Sequence, residues 1–224
     1  MSPLPAMTRL LYHFPNSPFS RRVRLALAHK RLVYELRDGR ANAAFLEQAR
    51  ERSPIETVPI MIEPDGRALG DSGAIVHYLD AAYTEGPSLW PRADAVGAHA
   101  ALEIAALVDV ALVTIIDLGS RYYDLHGDAA WPSVSGQLIG RAQRALDGVA
   151  TRAATWSGTT VGASGWGAAD MWLYTCVAWL ETLPERAGTH KNVDQILTLG
   201  WRLPETLSRW ADAHRERADV RALG

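Results

Sequence analysis

The sequence predicts two domains: a mixed α/β domain of order β-α-β-α-β-β-α over residues 1–84 and an all-helical domain over 94–224, joined by a linker at 85–93. Three observations predict it. The β-branched runs and a Pro64-Asp65-Gly66 turn lie in the first part. All eight tryptophans lie between Trp90 and Trp210, so the two parts pack differently. Between them, Glu85-Gly86-Pro87-Ser88-Leu89-Trp90-Pro91 has two prolines, a glycine and no periodicity, as a connection does.

Residues 1–7 hold two prolines and little pattern and read as a loose tail. Residues 9–13 are an apolar strand that enters the loop Phe14-Pro15-Asn16. Ser17-Pro18 then opens a helix over 18–29. Serine caps free N–H groups, and proline suits the first helical position because its φ is preset and its missing N–H would be unpaired there. Val23, Ala26 and Leu27 recur at helical spacing and form the buried face, while Arg21, Arg22 and Arg24 read as a solvated or salt-bridged one. Leu32–Leu36 alternates as a strand. Asn42 caps a short helix over 43–50 that Ser53-Pro54 ends. Thr57–Glu63 is a strand, the Pro-Asp-Gly turn follows, and Arg67-Ala68-Leu69 returns antiparallel. Residues 73–82 form the last helix of this domain, with Ile75, Val76 and Leu79 inward. The first strand-helix-strand unit is expected to be parallel.

After the linker the pattern is helical throughout. A long helix over 94–121 carries Leu102, Ala105, Ala106, Val113 and Ile116, read as buried or near a cleft. A second runs over 133–156 with Leu138, Ala142, Ala145 and Val149 inward. A third, from Trp166 to about Leu183, lacks a polar face and so belongs at the centre of a bundle. Segments 193–199 and 203–216 complete the domain.

Composition excludes several classes. Net charge is −2 and the pI about 6.4, which gives no electrostatic case for nucleic acid or an anionic membrane. No apolar run approaches a membrane span, and the start lacks a charged segment followed by an apolar core. Cys176 is the single cysteine, so no intrachain disulfide can form and a reducing, cytoplasmic setting is expected. His13, His29, His77 and His99 have no metal-ligand spacing, so no metal is expected.

Four local patterns, in order along the chain, resemble the glutathione transferase superfamily. They are Ser17-Pro18-Phe19-Ser20-Arg21-Arg22-Val23-Arg24, Val58-Pro59, Asp71-Ser72 and Trp166-Gly167-Ala168-Ala169-Asp170. The resemblance implies a thioredoxin-like N-terminal domain, an all-helical C-terminal bundle and a homodimer. It implies glutathione as co-substrate. Ser17 is then the residue that hydrogen-bonds and activates the thiol. The backbone of Val58, ahead of a cis Pro59, pairs with the cysteinyl part. Ser72 caps the third helix of the first domain and meets the γ-glutamyl carboxylate, while Asp71 faces the amine. Thr57 stands where the family often has a basic residue near the glycyl carboxylate; Arg40, Gln48 and Arg50 are substitutes among which the sequence does not choose. The electrophile is expected between the first domain and the long helix, around Leu107, Val113, Ile116 and Tyr122, with Tyr123 and Trp131 at its rim.

Both members of Ser17-x-x-Ser20 are serine, so neither forms a mixed disulfide. This favours conjugation or isomerisation by bound glutathione over protein-thiol redox chemistry. Peroxide reduction by glutathione and a non-catalytic binding module remain alternatives. Tyr12 is a rival hydroxyl whose apolar strand points to core packing. Asp170 reads as a structural cap, with Gly167 where the family has Ser or Thr. Cys176 reads as a buried small hydrophobe.

Overall fold

In a computed structural model, residues 8–223 are described apart from 54–56, 93, 157–158 and 162–164. The expected tail and Pro54 lie outside the described residues. The chain divides into two compact units, Met1–Trp90 with Glu216–Gly224, and Pro91–Arg215. The expected architecture, a thioredoxin-like unit and a helical bundle, is the one observed.

In the first unit, strands β1 (Leu10–His13), β2 (Glu35–Asp38), β3 (Ile60–Ile62) and β4 (Ala68–Gly70) form one sheet in the order β2-β1-β3-β4. β1 pairs parallel with β2 and antiparallel with β3, and β3 pairs antiparallel with β4. Leu10, Tyr12, Ile60 and Ile62 pack with Phe45 and Ala49 of helix α2 (Ala43–Arg50). The alternating Leu11 and Met61 face the other way and are also fully buried. Helices α1 (Pro18–His29) and α3 (Ser72–Ala82) pack against each other.

β2 starts three residues later than the sequence suggests. Leu32 closes the end of α1 instead: its N–H donates to Leu27 O at 2.9 Å and that of Arg31 to Ala28 O at 3.0 Å. This is a Schellman cap, with Arg31 at φ 55° in the place glycine usually takes. Val33 is consequently left exposed.

Two further expectations change. Arg22 and Arg24 are buried, not solvated. Arg22 lies over the Phe19 ring at 5.0 Å. Arg24 donates to Leu223 O and Ala222 O, each at 2.9 Å, beside the short helix α9 (Ala218–Arg221). Residues 216–224, read from sequence as part of the helical domain, thus complete the first unit. The segment read as a linker is also largely built in. Lys30 pairs with Asp80 at 2.9 Å and donates to Tyr83 O at 2.9 Å, and Asp80 accepts the Leu89 N–H at 2.7 Å. Trp90 stacks on His77 with centroids 4.8 Å apart.

The second unit holds α4 (Ala95–Leu125), α5 (Trp131–Ala153), α6 (Ala168–Thr182), α7 (Lys191–Thr198) and α8 (Glu205–Asp212). Asp94 caps α4, accepting from Val96 N and Gly97 N. From Ala168 to Leu180 every residue of α6 is buried, as its missing polar face requires. Asp170 Oδ2 accepts the Gly167 N–H at 3.0 Å, and its Oδ1 accepts from Val161 N at 2.7 Å. Only this half of a capping box exists, because Gly167 has no side chain to return the bond. Cys176 is buried within the helix.

Candidate active site

The register of the sheet assembles the site in the first unit. Tyr12 pairs with Ile60, and Ile60 pairs with Gly70, in one row across three adjacent strands. β1 and β4 leave the sheet at this row and β3 enters at it. The segments Phe14–Ser17, Val58-Pro59 and Asp71-Ser72 therefore gather at one edge. At ~4.8 Å per strand, the row spans roughly 10 Å. α1 and α3 both begin there, so two helix N-termini meet at the same edge, which favours anionic groups.

The turn before α1 is tightly tied. Ser17 N–H donates to Phe14 O at 3.0 Å, which closes a β-turn with Pro15 and Asn16 at its centre. Ser17 is the N-cap (φ −75°, ψ 122°), Pro18 the first helical residue, and Ser17 Oγ accepts from Ser20 N at 3.3 Å. In return, the fully buried Ser20 hydroxyl accepts from Phe14 N at 3.4 Å. Ser17 is half-buried, and among the described residues no acceptor takes its proton.

The Val58–Pro59 peptide is cis. Pro59 is buried, Val58 half-buried and Thr57 exposed. The capping role expected of Ser72 is corrected. Asp71, not Ser72, is the N-cap of α3: its Oδ1 accepts from Ala74 N at 2.8 Å, and Ser72 is the first helical residue. Asp71 holds φ 63°, an uncommon and costly angle for a non-glycine residue, of the kind that clusters at functional sites. Its side chain is exposed.

Tyr12 is 3% exposed and donates to Gln48 Oε1 at 3.0 Å, so it is a core residue. Arg40 lies over the Phe14 ring at 5.1 Å, next to the turn that carries Ser17. His13, at the end of β1, is buried with Nδ1 unpartnered; burial first, and then Arg24, pushes its pKa below the ordinary value. At the opposite edge Arg9, Glu63 and Tyr83 form a buried network that pushes the Tyr83 phenol up to about 12, through burial and its bond to Glu63.

The four residues expected to meet the electrophile do not share one face of α4. At about 100° per residue, Leu107 and Ile116 fall on opposite sides. Leu107 points to the α5 seam near Gly148. Tyr122 stacks on His126 (4.7 Å) and meets Trp131 edge-on (6.0 Å). Ile116 is half-buried, and Val113, like Leu102, is about half exposed. The buried stripe is instead Ala101, Ile104, Ala105, Val108, Leu112 and Ile115. Of Tyr123 only the backbone is described. Among the described residues no cluster of three or more His, Cys, Asp or Glu side chains could hold a metal, and no helix is long and apolar enough to cross a membrane.

Residues 11–87 match the family model of the glutathione S-transferase N-terminal domain. A probable maleylacetoacetate isomerase of Drosophila melanogaster is 35% identical over 88 residues, 37% of this chain and 35% of that protein. A probable glutathione S-transferase of Oryza sativa subsp. japonica is 31% identical over 122 residues, 53% of this chain and 52% of that protein. The chain thus spans about a third to a half of the length of these relatives. A glutathione S-transferase structure from Methylobacillus flagellatus, with glutathione bound, superposes with a TM-score of 0.73 at 22% identity, over 97% of this chain and 99% of that one. At that identity the likeness is one of fold.

Proposed function

We propose that this chain, whose residues 11–87 belong to the glutathione S-transferase N-terminal domain family, is an enzyme that binds glutathione and activates its thiol for attack on a small hydrophobic electrophile. The observation that carries this reading is the Tyr12–Ile60–Gly70 row, which brings Ser17, Val58 and Asp71-Ser72 to one sheet edge. In this reading the Val58 backbone pairs with the cysteinyl unit in the manner of an added strand. The N–H of Ser72, first in α3, receives the γ-glutamyl carboxylate, and Asp71 Oδ2 receives the amine. Thr57 and Pro59 flank the cysteinyl contact. Arg40 meets the glycyl carboxylate, since its guanidinium cation adjoins the turn that carries Ser17.

Ser17 then donates to sulfur. With Oγ accepting from Ser20, its proton is left to donate, and the bond favours thiolate over thiol. A free thiol has a pKa of ~8.5. Lowering it by ~2 units takes about 2.7 kcal/mol. A charge-assisted hydrogen bond supplies ~1.5–3 kcal/mol and the start of α1 a further ~0.3–1. No proton acceptor on the protein is needed, since the proton leaves to water.

The thiolate adds to the electrophile, irreversibly in conjugation or reversibly in isomerisation; likeness to the isomerase supports keeping both. Of the residues expected to meet the electrophile, Val113 and Ile116 are retained, and Leu107 and Tyr122 are assigned to packing at α5. We further propose a homodimer in the cytoplasm. The exposed Leu102 on α4, and Val134 and Leu138 on α5, support association. The test is titration of glutathione with protein, read by ultraviolet thiolate absorbance across pH, for wild type and Ser17→Ala. A lowered thiol pKa that returns toward 8.5 in the variant is expected. An unshifted thiol in wild type would remove the enzymatic reading.

A further inference from the structure

The turn that presents Ser17 has two outward handles, the ring of Phe14 and the carbonyl of Pro15. Phe14 is wedged. Its Cε1 sits 3.0 Å from where a Cβ on Gly39 would stand, and the Arg40 guanidinium covers its face at 5.1 Å. The Pro15 carbonyl accepts from Arg21 Nε at 2.9 Å. That carbonyl is not used by the turn itself, whose closing bond runs from Ser17 N to Phe14 O. Arg21 lies four residues after Ser17, one turn into α1, so its side chain reaches back over the helix N-terminus. It is half-buried, with the guanidinium tied to the loop rather than extended into water.

We infer that Arg21 is a positioning residue for Ser17: by gripping Pro15 it fixes the Phe14–Ser17 turn on α1 and so aims the Ser17 hydroxyl at the sulfur. The inference rests on the thiol-activating reading of Ser17. Its logic is geometric. Ser17 has one rotatable bond to its hydroxyl oxygen, and its backbone is set by the turn before it and the helix after it. The bond from Arg21 ties the centre of the turn, at Pro15, to the helix. Losing it leaves the glutathione backbone contacts at Val58 and Ser72 untouched but loosens the one contact that distinguishes thiolate from thiol. Arg21 therefore acts on affinity for the thiolate and not on affinity for the thiol.

The experiment measures the pKa of bound glutathione by thiolate absorbance, the glutathione Kd, and the pH profile of kcat/KM with an activated aryl halide. It compares wild type, Ser17→Ala, Arg21→Ala, Arg21→Gln and Arg21→Lys. Arg21→Ala is expected to raise the bound thiol pKa by about one unit, which is about threefold less thiolate at pH 7 for a pKa moved from about 6.5 to about 7.5. The acid limb of kcat/KM should move up by the same amount, with Kd measured near pH 5.5, where the bound thiol is protonated, changed less than about twofold, well under 1 kcal/mol. Arg21→Gln, a neutral donor, should restore much of the shift. Rescue by Arg21→Lys but not by Arg21→Gln would mean that the charge acts directly on the sulfur and would overturn the positioning role. So would an unchanged thiol pKa in Arg21→Ala, or a loss confined to Kd. Should Arg21→Ala fail to fold, the Gln and Lys variants decide between the same outcomes. A wild-type thiol with its ordinary pKa removes the Ser17 reading and this inference together, whereas a shifted wild type with an equal Arg21→Ala removes this inference alone.

Discussion

Ser17 and Ser20 exchange roles across the first turn of α1: Ser20 N–H donates to Ser17 Oγ at 3.3 Å, while Ser20 Oγ accepts the amide of Phe14, just before the turn, at 3.4 Å. The spacing that in related folds carries two thiols here makes a clamp. Ser20→Ala should leave a buried amide without its acceptor and cost about 1–3 kcal/mol in chemical denaturation. Ser17→Ala should cost about 1 kcal/mol through loss of the cap. Only Ser17→Ala is expected to abolish the shift of the glutathione thiol.

Asp71 carries a cap and a charge on one carboxylate. Asp71→Asn keeps an oxygen for Ala74 N and removes the charge. Its unfolding midpoint should stay near wild type while glutathione binds about tenfold more weakly, or ~1.4 kcal/mol, by calorimetric titration. Asp71→Ala should lose stability as well, by about 1 kcal/mol. Equal glutathione affinity in Asp71→Asn would free Asp71 from ligand binding.

Arg24 spans nearly the whole sequence to hold the carbonyls of Ala222 and Leu223. Arg24→Met should leave two carbonyls unpaired and destabilise the first unit by about 2–4 kcal/mol in urea. Removal of residues 217–224 should give a similar loss. Combined, the two changes should be far less than additive, because they break one contact.

Gly119 marks a close crossing of α4 and α7. A Cβ there would overlap Cγ1 of Ile196 and stand 2.9 Å from its Cδ1 and 3.2 Å from Asn192 O. Gly119→Ala should lower stability by about 1–3 kcal/mol despite the better helix propensity of alanine. Ile196→Ala in the same chain should recover part of it.

His13 ties stability to pH. Its folded pKa lies below the unfolded value near 6.5, through burial first and Arg24 second. Below that value the unfolded chain binds more protons, so stability falls as pH drops from about 6.5 toward the folded pKa. Urea midpoints compared near pH 7.5 and 5.5 should show a smaller acid loss in His13→Asn than in wild type. His29, also lowered by burial, should account for part of what remains.

Local chemistry was legible in the sequence. Ser17-Pro18 and Asn42 cap the helices they precede, and Pro64-Asp65-Gly66 turns the β3–β4 hairpin. The unbroken apolar run of α6 placed it inside the second unit. These features depend on neighbours within a few residues, so the sequence by itself determined the order of elements and the serine turn. It also carried the pieces of the candidate site.

Only the tertiary structure decided what distant residues do. The swap of capping duty from Ser72 to Asp71 follows from the positive φ at the β4–α3 corner, which no spacing announces. The burial of Arg24 depends on a tail about 200 residues away. On α4, composition alone could not tell which apolar residues face inward: Leu102 and Val113 are as hydrophobic as Leu112 and Ile115, and only packing against α5, α6 and α7 separates them. Propensity and capping are short-range and read from a line of residues, whereas burial and register arise when segments far apart in sequence meet in space.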